Sequence, residues 1–403
     1  MKIQNQQNLK NNNEKMILEI IKTNKNSDIS QADIVKITRM SPTSISRIVE
    51  NLIAKGLVRK EDFITTDKVG RKGIKLKIVP ESIITVGVSI DSDNLGICIM
   101  DFADRILDSC ILELQERHYE PDEIIELIRR MYIDICNKNS IKETQISAVG
   151  ISCIGNVDYK KGDIYFAPQF GWNHIDFGAR TQNVLKKKVY MENDTKAAIT
   201  SVVHQEKEFL KEDVTYLTIG MGVGSAVMFH GEIVRGSDNA FGEVGHVIIH
   251  PEGRKCDCGQ RGCVQTTLTH NSLIEVCQEA GLKITKIEQI FEAYREKQEW
   301  AVTFIDKTAS DLAILIRNLV YMYNTNYILV GGAMILDYPE LLELAKEKVE
   351  KLIHSNLYSN LRIIKVQTRN NSMTGAAFIA QSNCMRNMVE NDGESRMYLR
   401  NVQ

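Results

Sequence analysis

Three cysteines set in one glycine-bearing turn, Cys256-Asp-Cys258-Gly-Gln-Arg-Gly-Cys263, constrain this chain more than any other feature. The C-x-C-x4-C spacing puts three soft thiolates within reach of one ion, and two histidines stand upstream, His246 and His250. Three sulfurs and one imidazole make the closed four-ligand set of a tetrahedral structural zinc site. Spacing does not choose between the two histidines for the fourth position. A group of unconnected thiols is the weaker reading, because free cysteines rarely bunch beside glycines. A metal at this point implies that the segment before it, Gly242-Glu-Val-Gly-His246, is held still around Glu243.

The other six of the nine cysteines are scattered singly, which fits a reducing compartment better than a disulfide framework. No apolar run approaches the length needed to span a bilayer. The first residues, Met1-Lys-Ile-Gln-Asn-Gln-Gln-Asn, are polar and lack the apolar stretch of a secretion signal. These features predict a cytoplasmic protein with no membrane partner. At 403 residues, 43% of them hydrophobic, the chain is long enough for two or three domains.

Charge is unevenly spread. Residues 1 to 80 hold 16 Lys and Arg against 8 Asp and Glu, a net of +8, which leaves −10 on the rest of a chain whose total is −2. A basic head on an acidic body is the asymmetry of a chain with one end on a polyanion. The head's pattern supports this. Met16, Ile17, Ile20 and Ile21 share one helical face within Glu14 to Thr23, and Ser30 caps a second short helix with Ile34, Val35 and Ile37. After the turn Met40-Ser-Pro-Thr-Ser, a third helix carries the stripe Ile45, Ile48, Val49, Leu52 and Ile53 until Gly56 stops it. Leu57-Val-Arg-Lys and the return run Ile74-Lys-Leu-Lys-Ile-Val complete a winged helix-turn-helix over residues 1 to 80. Thr43, Ser44, Ser46 and Arg47 would form its exposed reading face. Arg71 and Lys72, in the glycine-flanked wing tip Lys68-Val-Gly-Arg71-Lys72-Gly, would follow a phosphate backbone or enter a minor groove.

Beyond Pro80, short β-rich runs alternate with helical stretches. Strands are predicted over Ile83 to Ile90, Leu95 to Phe102, Ile106 to Leu114, Ile146 to Ile151 and Val189 to Glu192, with a helix near Pro121 to Asn137. A second set begins at Val214 and ends with a helix from Asp306 to Tyr323 and a strand from Tyr327 to Val330, closed by Gly331-Gly332. This is an α/β chain in two similar halves, with ligands expected at the carboxyl ends of its strands, where Asp194 and Gly331-Gly332 sit. The expected division is a first lobe over 81–200, a second lobe with the cysteine turn and the C-terminal helices over 201–385, and a polar tail over 386–403.

Four segments resemble one family: Phe166-Ala-Pro-Gln-Phe-Gly-Trp172, Glu192-Asn-Asp194-Thr-Lys-Ala-Ala198, Gly242-Glu-Val-Gly-His246 and the cysteine turn. From about residue 10 to about residue 380 the chain resembles the ROK family (repressors, open reading frames and sugar kinases), in its transcriptional-repressor branch of xylose and N-acetylglucosamine repressors. The resemblance implies an actin-like two-lobed fold with a sugar between the lobes. It also implies His246, Cys256, Cys258 and Cys263 as the zinc ligands, and Asn193, Asp194, Glu243, His246 and Gln265 at the sugar positions. Carboxylates and amides at strand ends suit sugar hydroxyls, which both donate and accept. A zinc-bound His246 would keep its other N–H for a hydroxyl.

In the family's kinases the residue at the position of Asp194 is the general base. Those kinases carry an aspartate and then Gly-Gly-Thr after the first strand, whereas this chain has Gly87-Val-Ser89-Ile-Asp91-Ser92-Asp93. Side chains fill the space a phosphate needs, and two carboxylates repel it. The glycines Gly220, Gly222, Gly224, Gly331 and Gly332 persist, but turns require such glycines too. Asp194 is therefore expected to be a relic base, with no catalytic residue and no ATP cofactor. Gln265 stands where the family usually has a glutamate, and Cys153-Ile-Gly155-Asn156 replaces its proline-glycine loop. The expected function is a sugar-responsive repressor, dimeric or tetrameric, that binds palindromic operator DNA and is released by a monosaccharide. The alternatives are an active ATP-dependent sugar kinase with a DNA-binding head, and a scaffold for a phosphotransfer protein.

Overall fold

The computed structural model describes residues 6–24, 29–63, 74–115 and 118–390. The wing tip with Arg71 and Lys72 lies outside them. The head is built from α1 (Gln6–Thr23), α2 (Gln31–Thr38) and α3 (Pro42–Ala54), followed by β1 (Val58–Phe63) paired antiparallel with β2 (Ile74–Ile78). Local chemistry sets these ends. Ser30 and Asp33 exchange backbone hydrogen bonds in a capping box that starts α2. Ser41 caps α3 with Pro42 in its first turn, and Gly56, at φ 71°, turns the chain out of it. Ile45, Ile48, Val49 and Leu52 are buried, which leaves Thr43 and Arg47 exposed on the opposite side of α3.

The first lobe contains β3 (Ile84–Ile90), β4 (Asn94–Met100), β5 (Ile106–Glu113), α4 (Pro121–Lys138), β6 (Ile146–Cys153), β7 (Asn156–Asp158), β8 (Asp163–Ala167), β9 (Trp172–Ile175), α5 (Phe177–Leu185), β10 (Val189–Asn193) and α6 (Asp194–Gln205). The second contains β11 (Val214–Ile219), β12 (Val223–Phe229), β13 (Glu232–Ile233), α7 (Gln265–Leu268), α8 (His270–Glu279), α9 (Ile287–Arg295), α10 (Glu299–Tyr323), β14 (Tyr327–Gly331), α11 (Ala333–Asp337), α12 (Pro339–Leu352), α13 (Ser355–Tyr358) and β15 (Arg362–Lys365). The last helix is α14 (Asn371–Glu390).

The two main sheets share a plan. One runs β10-β6-β3-β4-β5 and the other β15-β14-β11-β12-β13, each with parallel pairs on one side of its first strand and antiparallel pairs on the other. The parallel strands read as continuous apolar runs because helices cover both faces. Two separate apolar cores result, one around β3, β6 and α4, and one around α10, α12 and β14. No helix among the described residues is long and apolar enough to cross a membrane.

The second-lobe helix expected from Asp306 begins earlier, at Glu299. The larger difference concerns α14. Expected with the second lobe, it packs instead on α6, β3 and β6 of the first, and its helical turns continue through Glu390. The approach is very close: a Cβ on Gly150 would lie 1.9 Å from the Ala376 carbonyl oxygen. Being buried on several sides, α14 has no clean polar stripe, which is why its sequence does not announce its lobe.

Beyond the sheet, α14 runs under the head. Ala380, Cys384 and Met385 join Ile17, Leu18 and Ile21 of α1 in one apolar cluster with Phe102. Polar ties flank it. Lys22 pairs with Asp104 at 2.6 Å and also reaches Gln381, while Lys55 bridges buried Glu14 (3.1 Å) and the carbonyl of Met388 (3.0 Å).

Candidate functional site

A cleft of about 670 Å³ opens between the lobes at the carboxyl ends of the strands. Asn193, Asp194, Glu243, His246 and Gln265 all line it, so residues far apart in sequence meet in one place. β10 delivers Asn193 at its end, and Asp194 opens α6. Asn193 caps that helix: its side-chain oxygen accepts from the amides of Thr195 (3.1 Å) and Lys196 (3.2 Å). Its Nδ2 donates to the carbonyl of Gly155 (2.9 Å) and to Asp194 Oδ1 (2.8 Å). Both donors and both acceptor positions of the amide are engaged. Asn193, expected among the sugar contacts, is therefore engaged in setting the orientation of Asp194.

Glu243 enters from the other lobe. It follows Gly242, whose φ of 99° and approach to the Ser225 carbonyl (2.1 Å from an added Cβ) admit only glycine. Burial, then the charges of Asp91 and Glu243, push the Asp194 carboxyl up to about 7. Asp91, at the β3–β4 turn, is raised by burial and by neighbouring Asp93, and it accepts the amide of Ser92 at 2.7 Å. Four carboxyl groups, Asp91, Asp93, Asp194 and Glu243, thus border one cleft, a poor setting for a further anion beside them and a good one for hydroxyl donors.

The cysteine turn stands at the rim. Ligand atoms of His246, Cys256, Cys258 and Cys263 lie within 4.8 Å of one another. His246 Nδ1 is 3.7 Å from Cys256 Sγ, and Cys258 Sγ is 3.6 Å from Cys263 Sγ. A tetrahedral site with metal–sulfur bonds of about 2.3 Å has edges of about 3.8 Å, so the donor set fits a four-coordinate ion such as zinc. His250, the other candidate from spacing, turns away and meets buried Asp311 on α10 at 2.8 Å. Gln265 donates to Cys256 Sγ (3.5 Å), so its amide faces the sulfur cluster as well as the cleft. Burial and the neighbouring thiols raise Cys263 to about 12, a crowding that a bound cation relieves.

Sequence reasoning did not single out Lys196, Arg235 or Asn239, although they lie directly behind the carboxylates. Lys196 is 2% exposed and donates to the Asn239 carbonyl at 2.6 Å, and Arg235 pairs with buried Glu192. A lysine at the third position of a helix and a basic residue in a loop carry no pattern of their own. At the head, Thr43, Ser44, Ser46 and Arg47 all lie on α3, with Thr43 and Arg47 exposed, Ser44 and Ser46 half-buried, and Ser46 donating to Glu50 (3.4 Å).

A ROK family model matches residues 85–383, and a MarR family model matches residues 8–65. The chain is 24% identical over 376 residues to a xylose repressor of Caldicellulosiruptor bescii, covering 88% of this chain and 91% of that one. It is 25% identical over 258 residues to a glucokinase of Thermotoga maritima, covering 59% of this chain and 80% of that one. Its fold matches the crystal structure of a ROK family transcriptional regulator, a homolog of the E. coli MLC protein. That match has a TM-score of 0.80 at 19% identity, over 96% of this chain and 100% of the other.

Proposed function

This chain belongs to the ROK family, and we propose that within it the protein acts as a sugar-responsive transcriptional repressor. The observation that carries this reading is a continuous one: a single helix, α14, has its first turn in the cleft wall and its last turns against the DNA-binding head. At about 1.5 Å per residue its 20 residues span roughly 30 Å.

A monosaccharide in the cleft would meet Asp194 from one lobe and Glu243 and His246 from the other. Binding both lobes favours their closed arrangement, by no more than the difference in affinity between the two arrangements. α6, which begins at Asp194, packs along α14, so closure bears on the helix that supports α1 and α3. Paired heads in a homodimer or homotetramer would hold a palindromic operator, with Arg47 and the short side chains of α3 in the major groove. A change in head spacing then releases the DNA. Similarity to a xylose repressor supports this reading.

His246, Cys256, Cys258 and Cys263 would hold zinc, which supplies structural energy to the loop that presents Glu243. His246 would bind through Nδ1, the atom that faces Cys256, and keep Nε2 for the cleft.

Similarity to a glucokinase favours one other reading, an active sugar kinase with a DNA-binding head. Asp91, Ser92 and Asp93 at the β3–β4 turn argue against it, since they place carboxylates where phosphate would approach. A coupled assay with ATP and free pentoses and hexoses separates the two. We expect no phosphate transfer, and turnover on the order of one per second would establish the kinase.

A further inference from the structure

Lys196 is a buried ammonium without an apolar reason to be there. Two per cent exposed, it lies among Glu192, Asp194 and Glu243, with Arg235 as a second cation close by. Burial pulls it below the ordinary lysine range, against the pull of Glu192 and Glu243 in the other direction. A buried charge persists only where its partners hold it, and an apolar side chain of similar size is often no less stable. What the charge supplies here is geometry.

Its partner is a loop of the other lobe. Lys196 Nζ donates to the main-chain carbonyl of Asn239 at 2.6 Å. Asn239 is itself buried and left-handed (φ 56°), a conformation asparagine tolerates better than most residues. Asn239 Nδ2 donates to the carbonyl of Val157 (2.7 Å) and to Glu192 (3.4 Å), and its Oδ1 accepts from Arg235 (3.3 Å). The Arg235 guanidinium pairs with Glu192 and lies 3.8 Å over the ring of Tyr159. Val157, Tyr159, Glu192 and Lys196 belong to the first lobe, Arg235 and Asn239 to the second. Four residues after Asn239 the same loop delivers Glu243 to the cleft.

We infer that Lys196 is a positioning residue of the sugar site: through the Asn239 carbonyl it latches the 236–243 loop across the lobes and so sets Glu243 opposite Asp194. The inference rests on the cleft being a sugar site, but the latch itself is measurable without sugar. Amide hydrogen exchange of residues 236–243 is compared in full-length wild type and Lys196→Met, alongside titration calorimetry with free pentoses, hexoses and N-acetylhexosamines. The variant is expected to exchange these amides roughly tenfold or more faster and to bind sugar roughly tenfold or more weakly, the loss of one charge-assisted hydrogen bond. Its metal content and sugar-free operator binding should match wild type, which a general loss of structure would not allow. Unchanged exchange in the loop, or sugar affinity within about twofold of wild type, overturns the inference. Should Lys196→Met fail to fold, Lys196→Gln removes the ammonium and shortens the reach to the Asn239 carbonyl while staying polar, and the same two readouts decide. If wild type binds none of these sugars, the repressor reading fails separately, and the loop's exchange alone judges the latch.

Discussion

Asp194 shows how a single residue's environment turns into a measurable property. Its carboxyl is raised from 3.8 to about 7, by burial first and then by Asp91 and Glu243. The native protein therefore keeps a proton that the unfolded chain gives up. The stability this proton contributes is present in acid and is lost as pH rises from about 4 to about 7. Asp194→Asn should flatten that fall in a thermal-unfolding series, and an identical slope in both proteins would contradict the assignment. A charged acceptor binds a hydroxyl more strongly than a neutral one, so wild-type sugar affinity should climb through about pH 7 and then level. The variant should bind roughly ten- to a hundredfold more weakly, with no such climb. The thiols make a separate test. Cys258→Ser should leave the purified protein without its metal by elemental analysis and lower its unfolding temperature, because the ion contributes folding energy. Full metal content in that variant would remove Cys258 from the ligand set. Asp194 and the cysteines were legible because each stands in a dense local motif. Lys196 and Asn239 were not, since they meet only once α6 and the second-lobe loop are brought together.

Elements differ in how openly their sequence speaks. α3 was legible to within a residue: its apolar stripe, Ser41-Pro42 start and Gly56 stop agree with one another and with the structure. α14 was not, because small residues such as Gly375 and Ala376 serve a helix pressed between α6 and a sheet. That helix is the element on which coupling depends. Gln381 is the contact to test: it is 2% exposed, donates to the carbonyl of Asp101 at 2.8 Å and receives Lys22 from the head. Gln381→Leu should retain sugar affinity while weakening the effect of sugar on DNA binding, since the cleft is untouched and the tie to α1 is lost. Operator binding followed with and without saturating sugar reads this directly. A full sugar effect in Gln381→Leu would place the coupling elsewhere.

At the scale of the whole molecule, the sequence disclosed two repeated α/β halves and a basic head, and the two sheets of matching strand order bear out the repeat. What it left open was how the pieces meet. That depends on long-range packing, such as Gly150 against α14 or Lys55 reaching both Glu14 and Met388, which no local period encodes. The central claim is that the cleft senses a sugar and the head responds. It is tested most directly by fluorescence anisotropy on DNA selected from a random pool by the wild-type protein. The bound complex is titrated with free pentoses, hexoses and N-acetylhexosamines, beside the same titration of Asp194→Asn. The account predicts that one class of sugar releases the DNA from wild type and leaves the variant bound at the same concentrations. Equal release from both proteins would contradict it.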